Sequence, residues 1–239
     1  MLNKLRQIKQ RLMGINPAYA KEPWRDPSRR DQIIRDFHGL YYDSFRKGKT
    51  WADTWFLGTK TEKCPLDLWL YQELIYSLKP DVIVETGTRF GGSALFTASI
   101  CDLIGHGRIV TVDVDNEPKR PAHGRIKYIH GSSVDPIIVN QVRQECADAR
   151  TVLVLLDSDH SKSHVFDELN ALAGLVSVGS FVIVEDSNVN GHPVLPSFGP
   201  GPMEALDDFL KSDDRFVIDP FNEKFLLTFS PRGFLKRIK

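Results

Sequence analysis

Two short polar segments hold most of the chain's reactive side chains. Asp157-Ser158-Asp159-His160-Ser161-Lys162-Ser163-His164 follows the apolar run 152–156, and Glu185-Asp186-Ser187-Asn188 follows the apolar run 180–184. Short β-branched and leucine-rich runs of this kind are buried strands, so the carboxylates stand at strand tips. If the two strands are neighbours, four carboxylates and two histidines converge. Such a cluster repels itself unless a cation or protons intervene. All-oxygen ligands suit a hard ion, Mg²⁺ above all. A hydroxyl beside such an ion has a lowered pKa and becomes nucleophilic near neutrality. His160, flanked by Asp159, is placed to take the proton, and His164 follows one helical turn later. The plainer alternative makes Asp157 and Asp186 turn-forming acids and His160 a helix cap. His38, His106, His123 and His130 lack such company and are read as structural.

A third segment supplies a ligand cradle. Val82-Ile83-Val84-Glu85-Thr86-Gly87-Thr88-Arg89-Phe90-Gly91-Gly92-Ser93 is a buried strand, a glycine-studded turn and a helix start. Gly87 and Gly91 permit unusual φ angles and a close backbone approach. The helix N-terminus offers free N–H groups. No Gly-Lys-Ser/Thr follows to neutralise a triphosphate. Glu85 suits a cationic amine instead, such as the methionine end of S-adenosylmethionine, with Gly87, Thr88, Gly91 and Ser93 around it.

The next strand ends at Asp113, 22 positions after Gly91, close to the offset at which an acid grips a ribose hydroxyl. A nicotinamide cofactor predicts the same acid, but its fingerprint requires Gly-x-Gly-x-x-Gly, and here the turn is Gly87-x-x-x-Gly91. The strand after that ends in His130-Gly131-Ser132-Ser133. Ser132 and Ser133 either meet an adenine edge or, for Ser133, cap the following helix.

These tips need a scaffold. Strands are expected at 82–85, 109–113, 126–130, 152–156 and 180–184, with helices at about 93–103, 135–146 and 163–175 between most of them. That alternation implies a parallel sheet covered on both faces. A helix at 203–211 and strands at 216–218 and 225–229 close the chain, the last two as an antiparallel hairpin. The expected fold is α/β, Rossmann-like, with a seven-stranded, mostly parallel sheet and a terminal antiparallel hairpin. Two divisions follow: residues 1–64 as an N-terminal helical extension and loop, and residues 65–239 as the cofactor-binding domain. Leu2, Leu5, Ile8 and Leu12 share one face of a first basic helix, read as a protein-contact element. A second helix covers 29–46 with Ile33, Ile34, Phe37 and Leu40 inward, and Pro65 opens a third that Pro80 stops. Residues 50–64 are a loop packed across the domain. The Pro/Gly-rich stretch 189–202 forms a rim over the acidic tips.

The 239 residues carry 31 basic and 31 acidic side chains, so no overall field points to nucleic acid. The balance is uneven, with twelve Lys/Arg against five Asp/Glu in residues 1–50. Three scattered cysteines lack metal-ligand spacing, which suits a reducing, cytoplasmic setting. No apolar run is long enough for a membrane span.

The chain resembles the cephalosporin hydroxylase-like family of S-adenosylmethionine-dependent O-methyltransferases, which includes rhamnosyl and mannoside O-methyltransferases. The resemblance runs from about Thr50 to the C-terminus. It rests on Val84-Glu85-Thr86-Gly87-x-x-x-Gly91-Gly92-Ser93, Leu156-Asp157-Ser158-Asp159-His160, Val184-Glu185-Asp186, Lys63-Cys64-Pro65-Leu66-Asp67-Leu68-Trp69 and Phe229-Ser230-Pro231-Arg232-Gly233-Phe234-Leu235-Lys236-Arg237. It implies that Glu85, Gly87 and Gly91 hold the cofactor's methionine part and Asp113 its ribose. It also implies Mg²⁺ on Asp159, Glu185 and Asp186, with Asp157 as an alternative ligand. An acid often faces adenine where this chain has Gly131-Ser132-Ser133. No two-histidine-plus-carboxylate iron spacing supports oxidation.

The expected activity is Mg²⁺-dependent methyl transfer from S-adenosylmethionine to a hydroxyl of a small molecule, a sugar or glycosylated natural product, by a homo-oligomer. A non-catalytic partner-binding protein on the same fold and a nicotinamide-dependent oxidoreductase are the competing functions. Trp51, Trp55, Phe198 and Phe221 offer flat faces on which an acceptor would stack.

Overall fold

The computed structural model describes residues 22–47 and 50–239. The basic helix expected within residues 1–14 lies outside them. Seven strands form one sheet in the order β5-β4-β3-β6-β7-β9-β8. They are β3 (Val82–Thr86), β4 (Arg108–Asp113), β5 (Ile126–His130), β6 (Val152–Leu156), β7 (Phe181–Val184), β8 (Phe216–Ile218) and β9 (Phe234–Arg237). β3 through β7 run parallel, while β9 is antiparallel to both β7 and β8. A two-stranded hairpin, β1 (Trp55–Phe56) and β2 (Thr59–Lys60), stands apart.

Alternation along each strand divides the core between the two faces of the sheet. Val82, Val84, Val110, Val112, Val154, Leu156, Val182 and Val184 pack on one side. That side is covered by α4 (Pro136–Glu145), α5 (Lys162–Leu172) and α6 (Pro202–Ser212). Ile83, Ile109, Leu153, Leu155, Ile183 and Phe234 face the other side, under α2 (Pro65–Leu78) and α3 (Gly92–Ile104). β3, β6 and β7 are buried on both faces along their whole length, which is why they read as unbroken apolar runs.

Two expectations are corrected. The run Phe225–Phe229 is not a strand: Leu226 has φ 68°, and the Phe229 N–H donates to the Asp67 carboxylate at 2.8 Å. With that N–H spent on a side chain, the segment crosses the domain irregularly, Leu226 exposed and 227–229 buried. Leu227 and Phe229 sit in a small apolar cluster with Tyr42, Cys64, Val189 and Val194. The place beside β7 goes to Phe234–Arg237, which pairs Ile183 with Phe234 and Phe181 with Lys236.

The second correction concerns α1 (Pro27–Asp43). Phe37 and Leu40 are exposed, and the helix buries His38 and Tyr42 instead. His38 stacks on Phe229, ring centroids 5.7 Å apart, and its Nε2 meets the Asn188 amide at 2.9 Å. Aromatic rings with polar tips dock this helix, not an aliphatic stripe. Residues 50–64 do pack across the domain: Trp51 stacks on Tyr42 at 5.3 Å and Phe56 meets Phe96 edge-on at 5.1 Å.

Candidate active site

The chain leaves β3 for β4 on one side and later returns to lay β6 on the other. Ligands of doubly wound sheets bind at that switch point, outside the carboxyl ends of the strands. A cleft of about 710 Å³ opens there. Gly87, Thr88, Arg89 and Ser93 line it from the β3 turn, Asp113 from β4, and Ser132 and Ser133 from β5. Asp157, Asp159, His160 and Asp186 line the opposite wall, with Tyr42, Trp51 and Lys63 closing the end nearest the N-terminal segment.

The glycine turn is built for close approach. Gly87 has φ +83°, and a Cβ there would overlap the carbonyl oxygen of Asp157. The glycine turn therefore lies directly against the tip of β6. Gly91, at φ 81°, caps α3, and a Cβ on Gly92 would strike the backbone of Lys60. Thr88 is buried with its hydroxyl 2.6 Å from that of Thr111. Glu85 is sealed beneath the turn at 1% exposure, accepting hydrogen bonds from Ser93 Oγ at 2.5 Å and Thr111 Oγ1 at 2.6 Å. Burial raises its pKa, against the pull of the nearby Lys63 charge. Asp113 reaches the cleft while accepting from the N–H groups of Arg89 (2.6 Å) and Asp115 (2.8 Å), with Arg120 3.2 Å away. Ser133 Oγ lies 3.1 Å from His164 Nε2.

The acidic wall is a network of alternating charges. Asp157, His160 and Asp186 each present one donor atom, and the three atoms lie within 4.8 Å of one another. His160 Nε2 stands 3.0 Å from Asp186 Oδ2. Burial opposes the imidazolium, but Asp186 and then Asp157 outweigh it and push His160 up to about 9. Asp186 moves the other way: burial raises it, yet the His160 charge and hydrogen bond bring it below the usual range. Glu185 is buried and pushed up to about 7, by burial first and by Asp157 next. Its Oε2 accepts from Lys63 Nζ at 2.6 Å, while its buried Oε1 has no hydrogen-bond partner among the described residues. Lys63 Nζ also donates to Asp157 Oδ2.

The structure thus brings Asp157, His160, Glu185 and Asp186 together. Asp159 sits beside them, exposed on the rim, with its carboxylate on the Ser161 N–H at 2.7 Å. His164 is engaged by Ser133 and by buried Glu168, 3.6 Å away, whose carboxylate raises its pKa. The donor chemistry of Asp157, His160 and Asp186, two carboxylates with an imidazole, fits a divalent ion such as Mg²⁺. The rim over this wall is pinned: Lys162 N donates to Pro200 O at 3.0 Å, and Glu204 accepts from Gly201 N at 2.6 Å. Of the four aromatic candidates for stacking, Trp51 lines the cleft. Phe198 borders a neighbouring hollow with Arg46 and Leu195.

A family model described as Rhamnosyl O-methyltransferase/CmcI matches residues 48–238. The chain belongs to this family. A rhamnosyl O-methyltransferase of Mycobacterium bovis (strain BCG / Pasteur 1173P2) is 36% identical over 236 residues, 95% of this chain and 93% of the relative. One from Mycobacterium leprae (strain TN) is 38% identical over 213 residues, covering 87% and 91%. A solved CmcI structure with Mg and SAM superposes with a TM-score of 0.62 at 19% identity, over 79% of this chain and 78% of that one. At that identity the likeness speaks for the fold alone.

Lys63 was not legible as a site residue: a lysine just before a helix-opening proline is ordinarily solvated. His38 is structural, stacked on Phe229 and set against the Asn188 amide two residues past Asp186, close enough to feel the Asp186 charge. Lys63 opens the Lys63–Trp69 motif, but nothing in that motif marks its ammonium as part of the wall, because Asp157 and Glu185 lie far away in sequence.

Proposed function

We infer that this family member is an S-adenosylmethionine-dependent, Mg²⁺-assisted O-methyltransferase whose acceptor is a sugar hydroxyl. The observation that carries this is the direct abutment of the glycine turn on the β6 tip. The residues that would hold the cofactor, Gly87 and Gly91, line the same cleft as Asp157, His160 and Asp186. The β3 turn and the α3 N-terminus would hold the methionine end, with Glu85 fixing the turn from below through Ser93 and Thr111. Asp113 would take the ribose, and Ser132 and Ser133 would border the adenine.

Asp159, Glu185 and Asp186 would hold Mg²⁺, Asp157 being the alternative to Asp159. When bound, the ion supplies charge that orients the acceptor and lowers its hydroxyl pKa. His160 would be the base that accepts the hydroxyl proton at Nε2, with Asp186 beside it to steady the imidazolium so formed. Trp51, stacked on Tyr42, gives the sugar a flat apolar wall. The charge balance of the chain favours a small molecule over nucleic acid as partner. No described helix is long and apolar enough to cross a membrane. Three buried free cysteines suit a cytoplasmic protein. Uncovered Trp69 and Tyr76 on α2 and Phe221 nearby offer a surface for a homo-oligomer.

Calorimetric titration with S-adenosylmethionine and with NADH, each with and without Mg²⁺, tests the cofactor. Methylation of simple rhamnosides tests the acceptor. Binding of NADH in place of S-adenosylmethionine would overturn the assignment.

A further inference from the structure

The cluster at the strand tips already contains a cation supplied by the chain. Lys63 arrives from the segment between β2 and α2, its residue only 5% exposed. Its ammonium bridges Asp157 on β6 and Glu185 on β7. The segment that carries it has little freedom. Lys60 and Thr61 cross directly over Gly92, where any Cβ would collide with them. The Lys63 N–H is also tied to Thr54 Oγ1 at 3.1 Å.

We propose that Lys63 is a built-in counter-cation that shares the strand-tip carboxylates with the divalent ion and so sets how tightly the ion is held. This rests on the Mg²⁺ reading above and names a positioning residue within it. Lys63 touches neither acceptor nor methyl group; it acts through Asp157 and Glu185.

The electrostatics demand some such partner. Asp157, Glu185 and Asp186 crowd two adjacent tips, and the single positive charge of His160 is shared between Asp186 and Asp157. Without Lys63, the empty site must protonate a carboxyl or fill with metal to persist. With Lys63, both carboxylates are partly spent on its ammonium. Glu185 spends one oxygen, Oε2, on Lys63, while its buried Oε1 is not engaged by the lysine and has the buried Tyr71 hydroxyl as a neighbour. A fixed positive charge this close repels a dication and weakens the field of each shared carboxylate. An exchangeable metal follows from that arrangement. Burial works against the lysine's charge, but Asp157 and Glu185 outweigh it and hold the ammonium protonated well beyond the neutral range. Its charge is therefore constant under working conditions.

The test is Mn²⁺ binding to the full chain without cofactor, with free Mn²⁺ read by electron paramagnetic resonance. Lys63→Met and Lys63→Gln should each tighten Mn²⁺ binding by about tenfold or more, and Mn²⁺ should raise their melting temperature more than that of the wild type. Lys63→Arg, which keeps the charge, should restore affinity close to the wild-type value. Unchanged or weaker Mn²⁺ binding in folded Lys63→Met, with normal wild-type binding, would overturn the role of Lys63 alone. Absence of Mn²⁺ binding in every form would overturn it together with the metal reading. If Met and Gln variants both fail to fold even with Mn²⁺, Lys63 is a folding element and the proposal falls.

Discussion

His160 Nε2 and Asp186 Oδ2 face each other at 3.0 Å across the gap between the β6 and β7 tips. The imidazole is pushed up to about 9 from an ordinary 6.5, burial opposing the charge and Asp186 prevailing. The folded protein thus keeps a proton that the unfolded chain releases near 6.5. The pair's stabilisation is complete below that pH and fades as pH climbs through about 9. Metal-free wild type should lose melting temperature across this window, and His160→Gln should lose less. Parallel curves would show that the pair is not what titrates.

His38 works with the opposite sign. Burial pushes it down to about 4, despite the pull of Asp186. Between about 6.5 and 4 the unfolded chain takes up a proton that the folded one refuses, so stability falls as pH falls. His38→Gln should flatten this acid limb in chemical denaturation. His38→Ala removes the stacking on Phe229 and strands the Asn188 amide, at a cost of about 1–3 kcal/mol. A variant as stable as wild type at pH 5 and pH 7 would show that His38 does not couple α1 to the domain.

The parallel core was legible because each strand is apolar on both faces and is followed by a polar tip. Val82–Thr86, Val152–Leu156 and Phe181–Val184 announce both their burial and their ends. The terminal hairpin was legible in kind but not in place. Phe225–Phe229 has the composition of a strand, and only the distant Asp67 carboxylate removes its N–H from the ladder. Similar reasons hid the partners of Lys63 and His38, which lie on other elements at separations of more than ninety residues. Periodicity reports the face a residue occupies, not the charge waiting there.

Gly87→Ala probes the contact between the two halves of the site. A methyl group there meets the Asp157 carbonyl at a backbone angle that L side chains rarely adopt. The turn must shift away from β6, so S-adenosylmethionine binding should fall at least about tenfold, a loss of about 1.4 kcal/mol or more. Unaltered affinity in isothermal titration would separate the cofactor from this turn.

Asp113→Ala removes an acid that both faces the cleft and gathers the Arg89 and Asp115 N–H groups. Loss of a charged hydrogen bond predicts weaker S-adenosylmethionine binding by about 1.5–3 kcal/mol, with the fold kept. Asp113→Asn should recover part of it through the shared geometry. A mutant with full affinity would place the ribose elsewhere.

The metal assignment can be separated ligand by ligand. Chelation should abolish turnover and added Mg²⁺ restore it. Asp186→Asn removes the residue common to both donor sets and should raise the Mg²⁺ requirement most. Asp159→Asn should follow it closely, with Asp157→Asn the weaker perturbation; the reverse order would make Asp157 the ligand. Glu185 is held at about 7, chiefly by burial and then by Asp157. It is therefore half-protonated near neutrality in the empty site, and Glu185→Gln should cost little stability while still raising the Mg²⁺ requirement. For the same reason, metal demand in the wild type should rise as pH falls below about 7, because a protonated carboxyl is a poor ligand. Full turnover in excess EDTA would remove the ion from the reaction and leave proton transfer to the histidine alone.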